Sequence, residues 1–302
     1  MQHKPVLKVR WKRVGLFYAI ALGWSTLVGA VLAVLGISLS VENLGVVGLF
    51  AGALCMPAPM VAALIVERVY RERPLLKQTF VGFSPKVIGI AVGFVAGLIF
   101  LMYGLTWAMS GSPGIPGAGS ILTESDSLAS NLEALTGAAI TQTVPPFLLL
   151  ITLAGVGALV AGFTINGLFG YFEEYGWRGW LANELRPLGT TRLNVLTGVL
   201  WGLWHTPLIW LGFNFSPYNL VGPIFMVLIC IPLSFVFWRA RKLTGSLLTP
   251  GILHGAFNGF SGIFVITLAE RNPLVAAPMG VIGAVAVAIL AFVFWSFPTV
   301  ES

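Results

Sequence analysis

The chain has 302 residues, 57% of them hydrophobic and 9% charged, with a mean hydropathy of +0.91. Soluble domains carry roughly 25% charged residues, so this composition excludes a soluble fold and points to a polytopic membrane protein. The formal net charge of +6 is scattered over short segments with no basic module; it fits anchoring to anionic lipid headgroups and excludes nucleic acid as a partner.

In chain order, apolar runs fall near 14–38, 45–66, 87–109, 147–171, 194–213, 221–238, 246–268 and 275–297. Most approach the ~20 residues that span a bilayer as a helix. The expectation is an all-α membrane protein of about eight transmembrane helices. The first run follows a basic segment as a signal peptide would, but its length of about 25 residues predicts an uncleaved anchor. Pro57 and Pro59 in the second run, and Pro223 and Pro232 in the short sixth, predict kinks.

Threading these spans with the amino terminus inside puts 16 of the 17 basic residues, Lys4, Arg73 and Lys77 among them, on the inner side and leaves only Arg271 outside. That asymmetry predicts cytoplasmic amino and carboxyl termini. The longest outer loop, about 110–145, holds Glu124, Asp126 and Glu133 but no basic residue, and its Gly-Ser-Pro-Gly-Ile-Pro-Gly segment reads as irregular. Cys55 and Cys230 fall in apolar runs without metal or redox spacing and read as packing residues. With no repeat or dividing linker, residues 1–302 read as one integral membrane domain with a functional core at about 147–268.

That core holds polar groups that are costly to bury unless they meet one another. In Glu173-Glu174-Tyr-Gly-Trp-Arg178, a helix would set Glu174 and Arg178 at i and i+4, in the favourable order for an ion pair. Glu173 points about 100° away and remains available as a general base. His254 and Asn258 are also i and i+4, and can donate two hydrogen bonds to one oxygen. Gly251, Gly255 and Gly259 on the adjacent face would let a helix approach closely, and Gly89, Gly93 and Gly97 suggest the same elsewhere. Trp177, Trp180, Trp201 and Trp204 read as packing or interfacial aromatics.

Depth tests whether these groups can meet. His205 lies roughly 18 Å and His254 roughly 13 Å from the cytoplasmic ends of their spans, at about 1.5 Å per residue. Glu173, counted from Phe147, would lie about 39 Å along, beyond the ~30 Å hydrocarbon core. Strong tilt, or a break near Gly162, Gly167 or Gly170, would bring it level. Taken singly, either His could serve only a backbone carbonyl and the Glu pair could be an interfacial cluster; their compatible depth and side argue for a shared site.

Glu-Glu-x-x-x-Arg, an aromatic-x-x-x-His helix and His-x-x-x-Asn in this order resemble the three motifs of the CPBP intramembrane proteases, which include the CAAX prenyl endopeptidases and bacteriocin-processing enzymes. The resemblance covers about 173–258, with Trp201 where the family usually has Phe. It implies an intramembrane glutamic endopeptidase in a bacterial or archaeal plasma membrane, acting on a membrane-associated, prenylated or leader peptide. Glu173 with His205 would activate water, His254 and Asn258 would stabilise the oxyanion, and Glu174 and Arg178 would brace the first motif. No cofactor is implied; the alternative is zinc held by Glu173, His205 and His254, against which stands the lack of His-Glu-x-x-His. A second class of function also fits the buried cluster: a proton-coupled transporter or a bacteriocin immunity or binding protein.

Overall fold

The computed structural model describes residues 8–40, 45–72, 84–111 and 114–298. Lys4, Arg73 and Lys77, and Ser112 and Pro113 of the irregular segment, lie outside the described residues. The chain is overwhelmingly helical. Its elements are α1 (Trp11–Val34), α2 (Gly45–Cys55), α3 (Ala58–Val69), α4 (Pro85–Ser110), β1 (Ser120–Ile121), α5 (Ser125–Thr136), α6 (Phe147–Phe163) and α7 (Ile165–Glu174). A π-helical stretch over Tyr175–Leu181 leads into α8 (Ala182–Leu185), α9 (Thr190–Trp204), α10 (Thr206–Ile209), α11 (Gly222–Thr244), α12 (Leu248–Ser261), α13 (Ile263–Thr267), β2 (Leu268–Ala269) and α14 (Val281–Ser296).

Local chemistry sets several ends. Ser84 caps α4 by accepting the Val87 N–H, with Pro85 at the first helical position, where its missing N–H costs nothing. Gly245 ends α11 in the left-handed region at φ 72°, its N–H bonded to the Arg241 carbonyl, a conformation that suits glycine.

Among the described residues, four helical stretches are long and apolar enough to cross a membrane: Trp11–Val34, Phe50–Val69, Pro85–Ser110 and Gly222–Thr244. The run 221–238, which reads as short in sequence, extends to Thr244 because Lys and Arg continue the helix to its polar end. A fifth crossing is formed if Phe147–Phe163 and Ile165–Leu188, bent by 57°, make one broken span. The break falls at Thr164, between Gly162 and Gly167, with φ −126° and ψ −127°. It is one of the two devices by which Glu173 could be brought level with the histidines. The remaining runs yield shorter helices: α9 stops at His205, the run 246–268 divides at Gly262, and α14 has 16 residues.

Close helix contacts rest on glycines at particular places. On α12, a Cβ at Gly251 would sit 2.9 Å from the Tyr171 Cα, and one at Gly259 would sit 3.0 Å from the Ala161 Cβ. From the facing side, a Cβ on Gly170 would lie 2.5 Å from the Gly251 carbonyl oxygen. These contacts hold α6 and α7 backbone to backbone against α12, as the four-residue glycine series predicts. Gly198 and Gly202 do the same for α9 against α11, where a Cβ would lie 2.5 Å from the Ile231 Cα and 2.6 Å from the Val227 Cα. The parallel expectation for α4 is corrected: Gly97 meets Leu290, but Gly89 and Gly93 have nothing within 4 Å. A small-residue spacing allows close packing without requiring it.

At one end, Arg10 hydrogen-bonds Glu184, and Arg10 and Arg13 both bond Glu72. The hydrogen bond to Glu184 raises the Arg10 pKa above its ordinary value, against the opposing effect of burial. The long loop contains ordered pieces absent from the sequence reading: α5, whose Asn131 donates to the Val265 and Ile266 carbonyls, and an antiparallel pairing of Ser120 with Ala269.

Candidate active site

The site is assembled from α7 with its π-helical continuation, α9, α11 and α12. Glu173, Glu174, Arg178 and His254 are 2%, 0%, 1% and 4% exposed, so each charge or potential charge must find its partner inside the protein. They find one another. Arg178 Nη1 donates to Glu174 Oε1 at 2.9 Å, the i, i+4 pair expected from sequence, and Nη2 donates to Ser234 Oγ at 2.9 Å.

The local backbone is not the plain α-helix assumed from spacing. Tyr175–Leu181 is π-helical, with all seven residues buried, a widening that recurs at functional sites. It brings Gly176 onto α3, where a Cβ would sit 2.5 Å from the Pro59 Cβ and 2.6 Å from the Pro59 carbonyl carbon; only glycine fits that approach. Tyr175 Oη then donates at 3.2 Å to Glu67, a further buried carboxylate on α3. Its sequence signal was its place immediately after an apolar run.

Glu173 takes its partner from α9. Trp201 Nε1 donates to Glu173 Oε2 at 2.8 Å, while Glu173 Oε1 lies 3.9 Å from His254 Nε2. The latter separation is too long for a hydrogen bond. Trp201 therefore packs, as its apolar context suggests, but it also supplies a polar contact the sequence reading missed. Its ring lies under the Arg178 guanidinium, 4.2 Å from the ring centroid, and meets the His254 ring edge to face at 5.3 Å. Phe237 of α11 closes another side, stacked on His254 at 5.6 Å and beneath Arg178 at 5.2 Å.

The two histidines are anchored through the same ring atom. His254 Nδ1 lies 2.9 Å from Glu174 Oε1 and His205 Nδ1 lies 2.8 Å from the Trp201 carbonyl oxygen. Both partners are acceptors, so Nδ1–H is the donor in each ring and neither contact occupies Nε2. His205, at the end of α9, is half-buried, with its ring 5.9 Å from Trp201 and 4.8 Å from Trp204. Its carbonyl contact is the bland role that a lone membrane histidine invites, and it occupies only one nitrogen. Asn258 stands one turn beyond His254 on α12 and is exposed.

The structure thus brings Glu173, Glu174, Arg178 and His254 into direct polar contact or near it, with His205 joined to them through Trp201 and Asn258 set at the margin. Among the described residues, no three His, Cys, Asp or Glu side chains are grouped so as to hold a metal ion. The zinc set Glu173, His205 and His254 is not such a group.

Comparison with known proteins converges on the same segment. Residues 145–260 match the family model of Rce1-like type II CAAX prenyl endopeptidases. A relative from Methanococcus maripaludis, described as CAAX prenyl protease 2, is 28% identical over 103 residues. The match covers 32% of this chain and 38% of that relative's length.

Proposed function

From the premise that this chain belongs, through residues 145–260, with the CPBP intramembrane proteases, we propose that it is a glutamate-dependent intramembrane endopeptidase. The observation that carries this reading is Glu173: a buried carboxylate with one oxygen held by Trp201 and the other 3.9 Å from an imidazole nitrogen. Glu173 takes a proton from water, assisted by the free Nε2 of His205, and the hydroxide adds to the peptide carbonyl carbon. As an imidazolium, His254 donates through Nε2 to the tetrahedral oxyanion, joined by the Asn258 amide. Collapse breaks the C–N bond, and the proton held on Glu173 passes to the leaving amine, so no covalent intermediate forms. Glu174, bonded to both Arg178 and His254, keeps the general base's neighbours in register.

The substrate class that fits both the family and the relative's description is a membrane-associated peptide, prenylated near its carboxyl terminus. The topology that goes with it has eight crossings, some by short or broken helices, and both termini in the cytoplasm of a bacterium or archaeon. Mass spectrometry of prenylated and unprenylated membrane peptides, incubated with wild-type and Glu173→Gln protein in liposomes, tests the reading. New peptide termini with the wild type alone support it. Peptide binding or proton-coupled flux without any new terminus overturns it in favour of a transporter or immunity protein.

A further inference from the structure

Trp201 touches more of the site than any residue that sequence analysis assigned to it. Its indole N–H reaches Glu173 Oε2, its ring face carries Arg178, its edge meets His254, and its own carbonyl holds His205 Nδ1. Arg178 in turn bonds Glu174. One side chain and its backbone therefore contact both motif histidines, the motif arginine and the proposed base.

We infer that Trp201 is a positioning residue, whose indole N–H holds one oxygen of the Glu173 carboxylate and so fixes the plane of the group, with the other oxygen facing His254 Nε2 and the reacting water. The inference rests on the protease reading above. Its physical basis is that a terminal carboxylate torsion is broad, so a buried Glu without a directional donor would have no fixed plane in which to present its free oxygen. The indole supplies that single direction, and Trp201 is itself 3% exposed and ringed by Phe237, His205 and His254, leaving it little freedom. Phenylalanine, the usual residue in this place in the resembled motif, would preserve the aromatic face toward Arg178 but has no N–H. This chain would then hold its base by a contact that the common motif lacks.

The test compares Trp201→Phe with replacement of Trp201 by 3-benzothienylalanine, which keeps the bicyclic shape and exchanges only N–H for sulfur. Steady-state kinetics on a cleaved prenylated peptide should show kcat lowered by about 10²-fold in both variants, with KM within about twofold, because misplacement of a catalytic group acts on the chemical step. Thermal unfolding of the benzothienyl variant should remain near wild type. An independent readout is the indole 15N–1H resonance of Trp201, assigned by its loss in Trp201→Phe; it should shift in Glu173→Gln. Unchanged kcat in the benzothienyl variant, or an unmoved indole resonance, overturns the positioning role. If wild-type protein cleaves no peptide while the resonance does shift, the protease reading fails and the catalytic part of this inference fails with it, leaving the hydrogen bond established.

Discussion

His254 Nδ1 and Arg178 Nη1 converge on a single oxygen, Glu174 Oε1, each at 2.9 Å. Glu174 thereby ties α12 to the π-helical stretch and separates its own role from that of Glu173, whose oxygens face Trp201 and His254. Two adjacent carboxylates have become unlike groups: one braced by a cation, the other held by an indole N–H.

Glu173→Gln should abolish cleavage. General-base loss is expected to lower kcat by about 10²–10⁴-fold, while the amide can still accept the Trp201 N–H, so the thermal midpoint in detergent should stay close to wild type. Turnover of the purified variant at the wild-type rate would defeat the assignment.

Arg178→Met should be far more damaging to the fold than to any one contact. It leaves the fully buried Glu174 without its cation, and breaking such a pair costs about 3–5 kcal/mol. Arg178→Lys recovers only part, since a lysine cannot reach both Glu174 and Ser234 through a planar fork. Denaturant titration in micelles distinguishes these outcomes; equal stability of wild type and Arg178→Met would contradict the buried-pair account.

Glycine substitutions should divide by place. Gly198→Ala puts a methyl group 2.5 Å from the Ile231 Cα, and overpacking of this kind costs about 1–3 kcal/mol. Gly89→Ala and Gly93→Ala meet nothing within 4 Å and should be neutral or stabilising by up to ~1 kcal/mol through helix propensity. Thermal midpoints of the three variants, measured side by side, check the contrast.

Arg10→Gln should loosen the contact between the start of α1 and α8. Glu184 is 2% exposed and depends on Arg10 for two hydrogen bonds. Because Arg10 itself is about one-third exposed, the loss should be modest, on the order of 1–2 kcal/mol, and smaller in the Arg10→Gln/Glu184→Gln double variant. A double variant less stable than the single one would show that the pair is not the coupling element.

Activity with Asn258→Ala should fall by about 10²–10³-fold if its amide serves the oxyanion. Its exposed position on α12 predicts no matching loss of stability. Loss of both together would make Asn258 a packing residue instead.

By itself the sequence determined what depends on neighbours along one chain segment: a helical membrane protein from composition, the Glu174–Arg178 pair and the His254–Asn258 register from i, i+4 geometry, and the glycine face of α12 from its spacing. What only the tertiary structure decided are relations between segments. The partner of Glu173 is Trp201, on a different helix; the bend at Thr164 lets α6 and α7 both lie against α12; Gly89 and Gly93 face open space while Gly97 does not. Apolar residues suit lipid as well as they suit a neighbouring helix, so hydrophobicity marks a span without saying which face is covered or by what. That choice is made by packing and by the few buried polar groups that must find each other.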